Sequence, residues 1–574
     1  MTVTTTATPT AAMTEHRAAS RARAELTRDP RLGTGNVLAT LVARGERLDL
    51  PSLTFDTAVD GHPAMRSLTL RQLDRMVAAR ASSLHALGIK ARDPVAVFAG
   101  TAAEQVLGFL ALARLGAIPA LINDRLPAVS AAEYIRRLRA SAVVVDSDRR
   151  KVLAGQDLGV DRLIDTAGLG SGDPATAPAP FQHHGGDPVV ITHSSGTTGL
   201  PKAVAHSHAS LFASVRHRLT LPRAQGVERL LGALPPAHAA TVIAVNLALA
   251  NGSELLVLSA QSGTAVLDAI ERWHPTGVLG FAATWSELAT VDLAVRDLDS
   301  VQLWWNTGDC AHEAHIRHLV AVGNRRVATA GGAEQQKGSV FIDGLGSTEM
   351  GHSQFFITHT ADTNRYGRCI GRPHSFSDTV VFDEAGLVLG TGEVGQLGIN
   401  APTLALGYWN DSVTTWRTRL NGYFLTGDLV YRDADGYYFH VDRMVDSVDL
   451  GNGGRLFTAA SEEQILSALP DVVECTVIAV TDPHGRPASK VLLVLAAGTD
   501  PDRDRTDEVK AALGKDVAAT VRRVVAVAPG RIPLGPTGKV RKGLLREQFL
   551  NGELVTAGSA PVAPAATVTS GSTG

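Results

Sequence analysis

Apolar positions along this chain change their spacing several times, and each change marks an element. From Asn36 to Leu87 the spacing is largely helical, with Leu68 to Leu73 entering a helix that runs through Leu87. Asp93 to Phe98 is then a short, unbroken apolar run of the buried-strand type. It is followed by an apolar helix over 102–115, a strand over 117–121, a helix over 131–139 and a strand over 142–146. Strands alternating with helices predict a parallel α/β sheet. Residues 168–186 are rich in Gly, Pro and Ala and predict a loop, before a β-branched strand at 187–192. After Lys202 the alternation resumes, with strands at 230–236, 254–258, 301–305 and 340–343 and a helix from His238 through Leu249. From Thr379 onward the pattern turns to hairpins, over 378–382, 395–399 and 437–441. A smaller domain is expected to begin near Arg443, with strands over 475–480 and 490–495 and helices over 507–513 and 516–523. The domain expectation is therefore a large unit over 29–443, a small one over 444–550, and disordered tails over 1–28 and 551–574.

Composition narrows the classes of function. A chain of 574 residues, 44% hydrophobic, can bury more than one core. A formal charge of −3 gives no basic footprint for nucleic acid. Cys310, Cys369 and Cys475 are scattered, with neither zinc spacing nor a disulfide framework, which fits a reducing cytoplasm. No apolar run approaches the roughly 18 residues of a membrane helix. Met1 to Ser20 lacks the apolar core of a secretory signal.

The candidate chemistry begins at the end of the 187–192 strand. From Ser194 to Lys202 the chain reads Ser-Ser-Gly-Thr-Thr-Gly-Leu-Pro-Lys. Such a loop can wrap backbone N–H groups and hydroxyls around phosphate oxygens, and its glycines allow close approach. Lys202 adds a point charge for phosphate. The Walker pattern needs Gly-Lys followed by Ser or Thr, whereas here Pro201 precedes Lys202 and Ala203 follows it. The stretch instead resembles the phosphate loop of the adenylate-forming superfamily: acyl- and aryl-CoA ligases, luciferases and peptide-synthetase adenylation domains.

Further segments resemble that family's signatures in order. Gly344-Leu345-Gly346-Ser347-Thr348-Glu349 is similar to the second, in wording closest to benzoate-type CoA ligases. The resemblance implies that Thr348 touches the α-phosphate and Glu349 holds Mg²⁺, a hard cation that takes carboxylate and phosphate oxygens. Tyr423 to Leu429 resembles the Thr-Gly-Asp segment, implying that Asp428 accepts from both ribose hydroxyls. Arg443 stands at the hinge motif's ribose contact, and Lys539, within Pro533 to Lys542, at the mobile catalytic lysine. His238, after Pro235-Pro236, stands where the family often has a His at the pocket mouth, and Gly308-Asp309 is placed near adenine and the pocket. Implied for nucleotide binding are thus Ser194, Ser195, Gly196, Thr197, Thr198, Gly199, Lys202, Gly308, Asp309, Gly346, Ser347, Asp428 and Arg443. Implied for catalysis are Lys539, Thr348, Glu349 and His238. The fold implied is α/β: a large N-terminal domain of stacked α/β sheets with a β-rich subdomain, and a small mobile α+β C-terminal domain.

Three other patterns carry less. Gly390 to Gly395 is a literal GxGxxG followed by strand rather than helix, and reads as a hairpin turn. His312, His315 and His318 drift around a helix and read as a solvated face. Trp304-Trp305 reads as core, with no interleaved basic residues.

The implied activity is ATP-dependent activation of a small-molecule acid as its adenylate with pyrophosphate release, then transfer to a nucleophile, most simply CoA in an aryl- or acyl-CoA ligase, with a non-CoA acceptor as the alternative. The hinge region departs from the family's pattern: Val445 occupies the hinge position and Asp449 replaces a common lysine. An acid near the path of CoA repels its phosphates. The acceptor is therefore left open between CoA, a carrier-protein thiol and an amine. Ala237 to Ala244 lacks an aromatic wall, so the acid is left open too, between aryl, acyl and an inorganic oxyacid such as nitrite, which some relatives activate to diazotise an arylamine.

Overall fold

The computed structural model describes residues 22–194, 200–222, 227–329, 332–535 and 538–552. The chain divides into two compact units, the first extending to His440 and the second beginning at Val441, slightly ahead of the 443/444 boundary expected from sequence.

Two large sheets organise the first unit. In one, seven strands run in the order Gly407–Tyr408, Ala203–Ser207, Pro188–His193, Ile118–Ile122, Pro94–Phe98, Ala142–Val145 and Leu163–Asp165. The last five are mutually parallel, while Ala203–Ser207 pairs antiparallel with Pro188–His193 and with Gly407–Tyr408. The second sheet has a parallel run of Pro51–Phe55, Glu254–Val257, Arg229–Ala233, Gly277–Gly280, Leu303–Asn306 and Val340–Asp343. It continues antiparallel through Phe355–His359 and Cys369–Pro373 to Tyr438–Arg443, and beyond that strand lie Tyr423–Arg432, Gly395–Asn400 and Asp378–Phe382 in turn. Burial on both faces explains the continuous apolar runs of the parallel strands. Helices Leu70–Ala86, Ala102–Arg114 and Ala239–Asn251 contribute to the largest apolar cluster. Thr69 opens the first of these with a capping box to Gln72, and Thr101 caps the second through Glu104 N. Gly390 to Gly395 is indeed a turn, leading into the strand Gly395–Asn400.

Three sequence expectations are corrected. Residues 36–87 are not mainly helical: strands Pro51–Phe55 and Ser67–Thr69 lie between two helices, the first strand stabilised by a partner some 200 residues away. The expected disordered tail to Arg28 contains a helix over 22–28, whose Leu26 is buried in the main core. The helix expected over 516–523 ends at Thr520, and Val521–Ala526 joins a sheet instead.

The second unit is a three-stranded sheet. Val472–Thr481 pairs antiparallel with Pro487–Leu495, which pairs parallel with Val521–Ala526. Helix Thr458–Ala468 packs Ile465 and Leu466 against its inward residues Val477, Val491 and Leu493.

Candidate active site

In open α/β sheets ligands gather beyond the carboxyl ends of strands. Four such ends in the first unit bear the predicted residues.

At the first, Pro188–His193 and Ala203–Ser207 form the stem of the phosphate loop. Ser194 N donates to Lys202 O and Lys202 N donates to Ser194 Oγ, each at 3.0 Å. His193 braces the stem: its Nε2 accepts from Asn123 N at 3.0 Å, so Nδ1 carries the proton and donates to Ser194 O at 2.9 Å. Burial pushes the His193 imidazole below its ordinary range, which keeps it neutral for this role. Ser195, Gly196, Thr197, Thr198 and Gly199 lie outside the described residues.

From the stem, contacts run to the predicted metal carboxylate. The Lys202 ammonium lies 5.2 Å from the centre of the Tyr408 ring, and the Tyr408 hydroxyl donates to Glu349 Oε1 at 2.9 Å. Burial and the Glu349 charge both raise the Tyr408 hydroxyl far above its usual range, fixing it as a donor. Ala405 N donates to Glu349 O at 2.9 Å, so the same segment holds the glutamate's backbone. Among the described residues no three His, Cys, Asp or Glu side chains converge on one point. A single carboxylate suits an ion that arrives already on phosphate oxygens, as Mg²⁺ does on ATP.

Two turns beyond neighbouring strand ends are tied together. Gly346 N donates to Gly308 O at 2.8 Å. Gly308 has φ +90°, a left-handed conformation that residues with a β-carbon rarely adopt. Beneath both turns lies Asp343, fully buried. It accepts from Asn306 Nδ2 at 2.6 Å, Gly344 N at 2.7 Å and Ala311 N at 3.2 Å. Burial pushes its carboxyl up to about 6, against these donors, which favour the ionised form. Asn306 in turn donates to Asp309 O at 2.7 Å and accepts from Trp285 Nε1 at 2.8 Å.

Thr348 is buried, and its Oγ1 lies 3.3 Å from His238 Nε2. His238 caps helix Ala239–Asn251, its Nδ1 accepting from Ala240 N at 3.1 Å. The proton therefore resides on Nε2, which donates to Thr348. Phe281 sets its ring edge against His238, centroids 5.0 Å apart.

Asp428 is buried within strand Tyr423–Arg432, next to Gly427 at φ +76°. His440 Nε2 lies 3.5 Å from Asp428 Oδ1. Arg368 donates to His440 Nδ1 at 2.7 Å, and its guanidinium lies 3.9 Å from Asp309. Asp428 and Asp309 are thus linked through a buried arginine and histidine.

Arg443 and Lys539 belong to the second unit. Asp446 N and Ser447 N donate to Arg443 O at 3.0 and 3.2 Å. Lys539 O accepts from Gly535 N at 2.7 Å, and Leu534 pairs with Val540.

Tyr408, Asp343, Asn306, Arg368, His440 and His193 were not among the sequence-predicted site residues. His193, Asn306 and Asp343 each stand at the opening of a quoted stretch, at 193–202, 306–309 and 343–350, but no role was assigned to them; the others are common residue types whose partners are distant in sequence. Two set-aside patterns are corrected. His315 is buried rather than solvated. Trp304 is core, but Trp305 is only partly buried and carries the Arg218 guanidinium 4.4 Å above its ring.

Fold and site together define an adenylate-forming enzyme: the chain matches the AMP-binding enzyme family over residues 49–409 and belongs to it. It is 41% identical to a 3-aminoavenalumate diazotase from Streptomyces sp., over 92% of this chain and 98% of that one. It is 27% identical to a feruloyl-CoA synthase from Amycolatopsis sp., over 84% and 94% of the two chains. The crystal structure of an anthranilate CoA ligase in complex with anthranoyl-AMP superposes with a TM-score of 0.78 at 21% identity, covering 92% of this chain and 99% of that one. Among the described residues no helix is long and apolar enough to cross a membrane.

Proposed function

We propose that this enzyme is an ATP-dependent diazotase that adenylates nitrite and passes the activated nitrogen to an arylamine. Adenylation itself is supported most directly by the linked arrangement of Lys202, Tyr408 and Glu349. Support for nitrite and an amine comes from likeness along nearly the whole chain to the diazotase, at 41% identity.

A nitrite oxygen attacks the α-phosphorus of ATP, the α–β bridge breaks and pyrophosphate leaves. Charge grows on phosphoryl oxygens, where prepositioned donors act most strongly. Thr348, oriented by His238, donates its hydroxyl proton to an α-phosphate oxygen. Lys202 supplies a point charge for the phosphates, and the resemblance assigns Ser194 to Gly199 to them as well. Glu349, held by Tyr408, would be the protein ligand of Mg²⁺, which when bound supplies charge neutralisation at the phosphates. Asp428 accepts from the ribose hydroxyls, and the resemblance gives Arg443 a ribose contact as well; Gly308, Asp309, Gly346 and Ser347 border the base and sugar. Lys539 meets the α-phosphate and the incoming acid. In the second step the amine nitrogen attacks the nitroso nitrogen, an N–N bond forms, the N–O bond to AMP breaks and a proton leaves. The resulting N-nitrosamine shifts a proton to oxygen, and the diazohydroxide so formed takes up one further proton on that oxygen and loses water to give the diazonium ion.

CoA ligation is the second reading, favoured by the benzoate-type wording of Asp343 to Met350. Asp449, exposed on the loop that the resemblance assigns to the acceptor step, stands against it.

One assay separates the two. Pyrophosphate release is followed with nitrite, benzoates and cinnamates, then repeated with an arylamine or with CoA. Nitrite-dependent release and an azo dye on trapping with a naphthol are expected. Release with aryl acids and a CoA thioester, with none from nitrite, would overturn the proposal. Lys539→Ala is expected to lower adenylation by about 10²-fold or more with ATP binding retained; unchanged pyrophosphate exchange would remove Lys539 from its role.

A further inference from the structure

Beside the site lies a polar cluster that the adenylation chemistry does not use. Arg218, near the end of helix Ser210–Thr220, rests on Trp305. Among the described residues no carboxylate pairs with its guanidinium, and its buried Nε has no hydrogen-bond partner. Burial alone lowers it, to about 10. Such an unpaired guanidinium is costly without an anion.

His217 adjoins it in sequence, the charge of Arg218 is felt by His352 and His374, and these imidazoles share ring contacts with Phe376. His374 stacks on Phe376 with centroids 5.0 Å apart, and His217 and His352 stand edge-on to His374 at 5.6 and 5.7 Å. Burial, reinforced by neighbouring charge including Arg218, lowers His352 to about 4 and His374 to about 3. The imidazoles are therefore neutral, and Arg218 is the group's cation. His374 Nε2 is buried and also without a partner.

The cluster abuts the adenylation turns. Trp305 lies two residues before Thr307, whose Oγ1 is 3.2 Å from Ser353 Oγ. Ser353 follows His352 and pairs with Gly346.

We infer that Arg218, held on Trp305 and flanked by His217, His352 and His374, is the subsite for the carboxylate of an aminoaryl acid whose amine is the nucleophile of the second step. The inference rests on the diazotase reading. A planar guanidinium offers a carboxylate two parallel hydrogen bonds. Trp305 and Phe376, each with part of its ring still exposed, offer apolar surface to the arene attached to it. Nitrite has no carbon surface to bury and gains nothing from those rings. It must also reach the α-phosphorus, beside Thr348 and Glu349. The acceptor class is thus an arylamine with a carboxylate remote from its amine.

The probes are 3-amino-4-hydroxybenzoate and its carboxamide, which differ only in the charge that Arg218 would read. Each is measured by kcat/KM for dye formation and, without ATP, by calorimetric binding. The wild type should prefer the acid, and Arg218→Gln should cut the acid-to-amide ratio by about 30-fold or more, as for loss of a buried charged partner. Arg218→Lys should fall between, keeping charge but losing the fork; it carries the test if the Gln variant does not fold by circular dichroism. An unchanged ratio in both variants, or equal binding of the probes to the wild type, would overturn the inference. So would a raised KM for nitrite with the ratio intact, since Arg218 would then serve the oxyacid. If no amine gives a diazonium product, the diazotase reading fails; the binding ratio still decides whether Arg218 reads a carboxylate.

Discussion

His238 performs two tasks with two nitrogens. Nδ1 caps a helix, and the proton left on Nε2 orients Thr348. His238→Ala should lose both, costing about 1 kcal/mol of stability from the cap and at least tenfold in nitrite-dependent pyrophosphate release. His238→Asn retains a capping acceptor, so its melting temperature should return while the rate stays low. If the rate recovers with the cap, His238 is only structural. Asp343 offers a pH test. Its folded value, about 6, lies above the ordinary 3.8. The native state therefore holds the proton more tightly than the unfolded chain. Its contribution to stability is full below the unfolded value and declines as pH rises to about 6, by roughly 3 kcal/mol over the two units. The wild-type minus Asp343→Asn stability difference should fall between pH 4 and 6 and level off above; a flat difference would refute the burial argument. Neither residue's full role was legible. His238 was located by the family's wording, but its cap requires knowing where the helix starts. Asp343 belongs to the family-like wording of 343–350, but its role was not legible there, since a carboxylate serving buried donors has no local sequence pattern.

Elements show the same division. The parallel strands were legible because both faces are buried and their apolar runs are unbroken. The strands Pro51–Phe55 and Val521–Ala526 were missed because distant partners, rather than local periodicity, stabilise them. Least legible was Gly407–Tyr408, a strand of two residues. It pairs with the outgoing arm of the phosphate-loop stem and delivers a hydroxyl to Glu349. Tyr408→Phe keeps the ring beneath Lys202 and deletes that hydroxyl. A rise of about tenfold in KM for Mg²⁺-ATP is expected, equivalent to one hydrogen bond to a charged group, with little change in melting temperature. An unaltered KM would separate the strand from nucleotide binding.

At the scale of the whole molecule, the second unit carries its own electrostatic centre. Lys542 Nζ pairs with Glu462 at 2.7 Å and donates to Thr458 Oγ1 at 2.7 Å, while Thr458 Oγ1 donates to Asp442 at 3.1 Å. Burial opposes the ammonium charge, but Glu462, Asp442 and Asp446 hold it protonated. Arg546 donates to Val445 O at 2.7 Å and pairs with Asp446 at 2.6 Å. The departed hinge sequence is therefore anchored to its own unit at several points. Lys542→Met strands two buried carboxylates and should destabilise that unit by about 3–5 kcal/mol. Calorimetry should show its transition lowered and that of the first unit unmoved; a single transition shifted as a whole would mean that the two melt together.

The helix that bears Arg218 is fastened at its back. Arg216 donates to the carbonyls of Thr27, Asp29 and Leu32 at 2.7, 2.9 and 2.6 Å, and Arg23 to those of Arg218 and Leu221 at 3.2 and 3.0 Å. The leading segment, so easily dismissed as a ragged beginning, is thereby the splint for the very side chain inferred to choose the amine. A proteolytic nick behind Leu32 would slacken that splint and, with Leu26, unpick an edge of the main core.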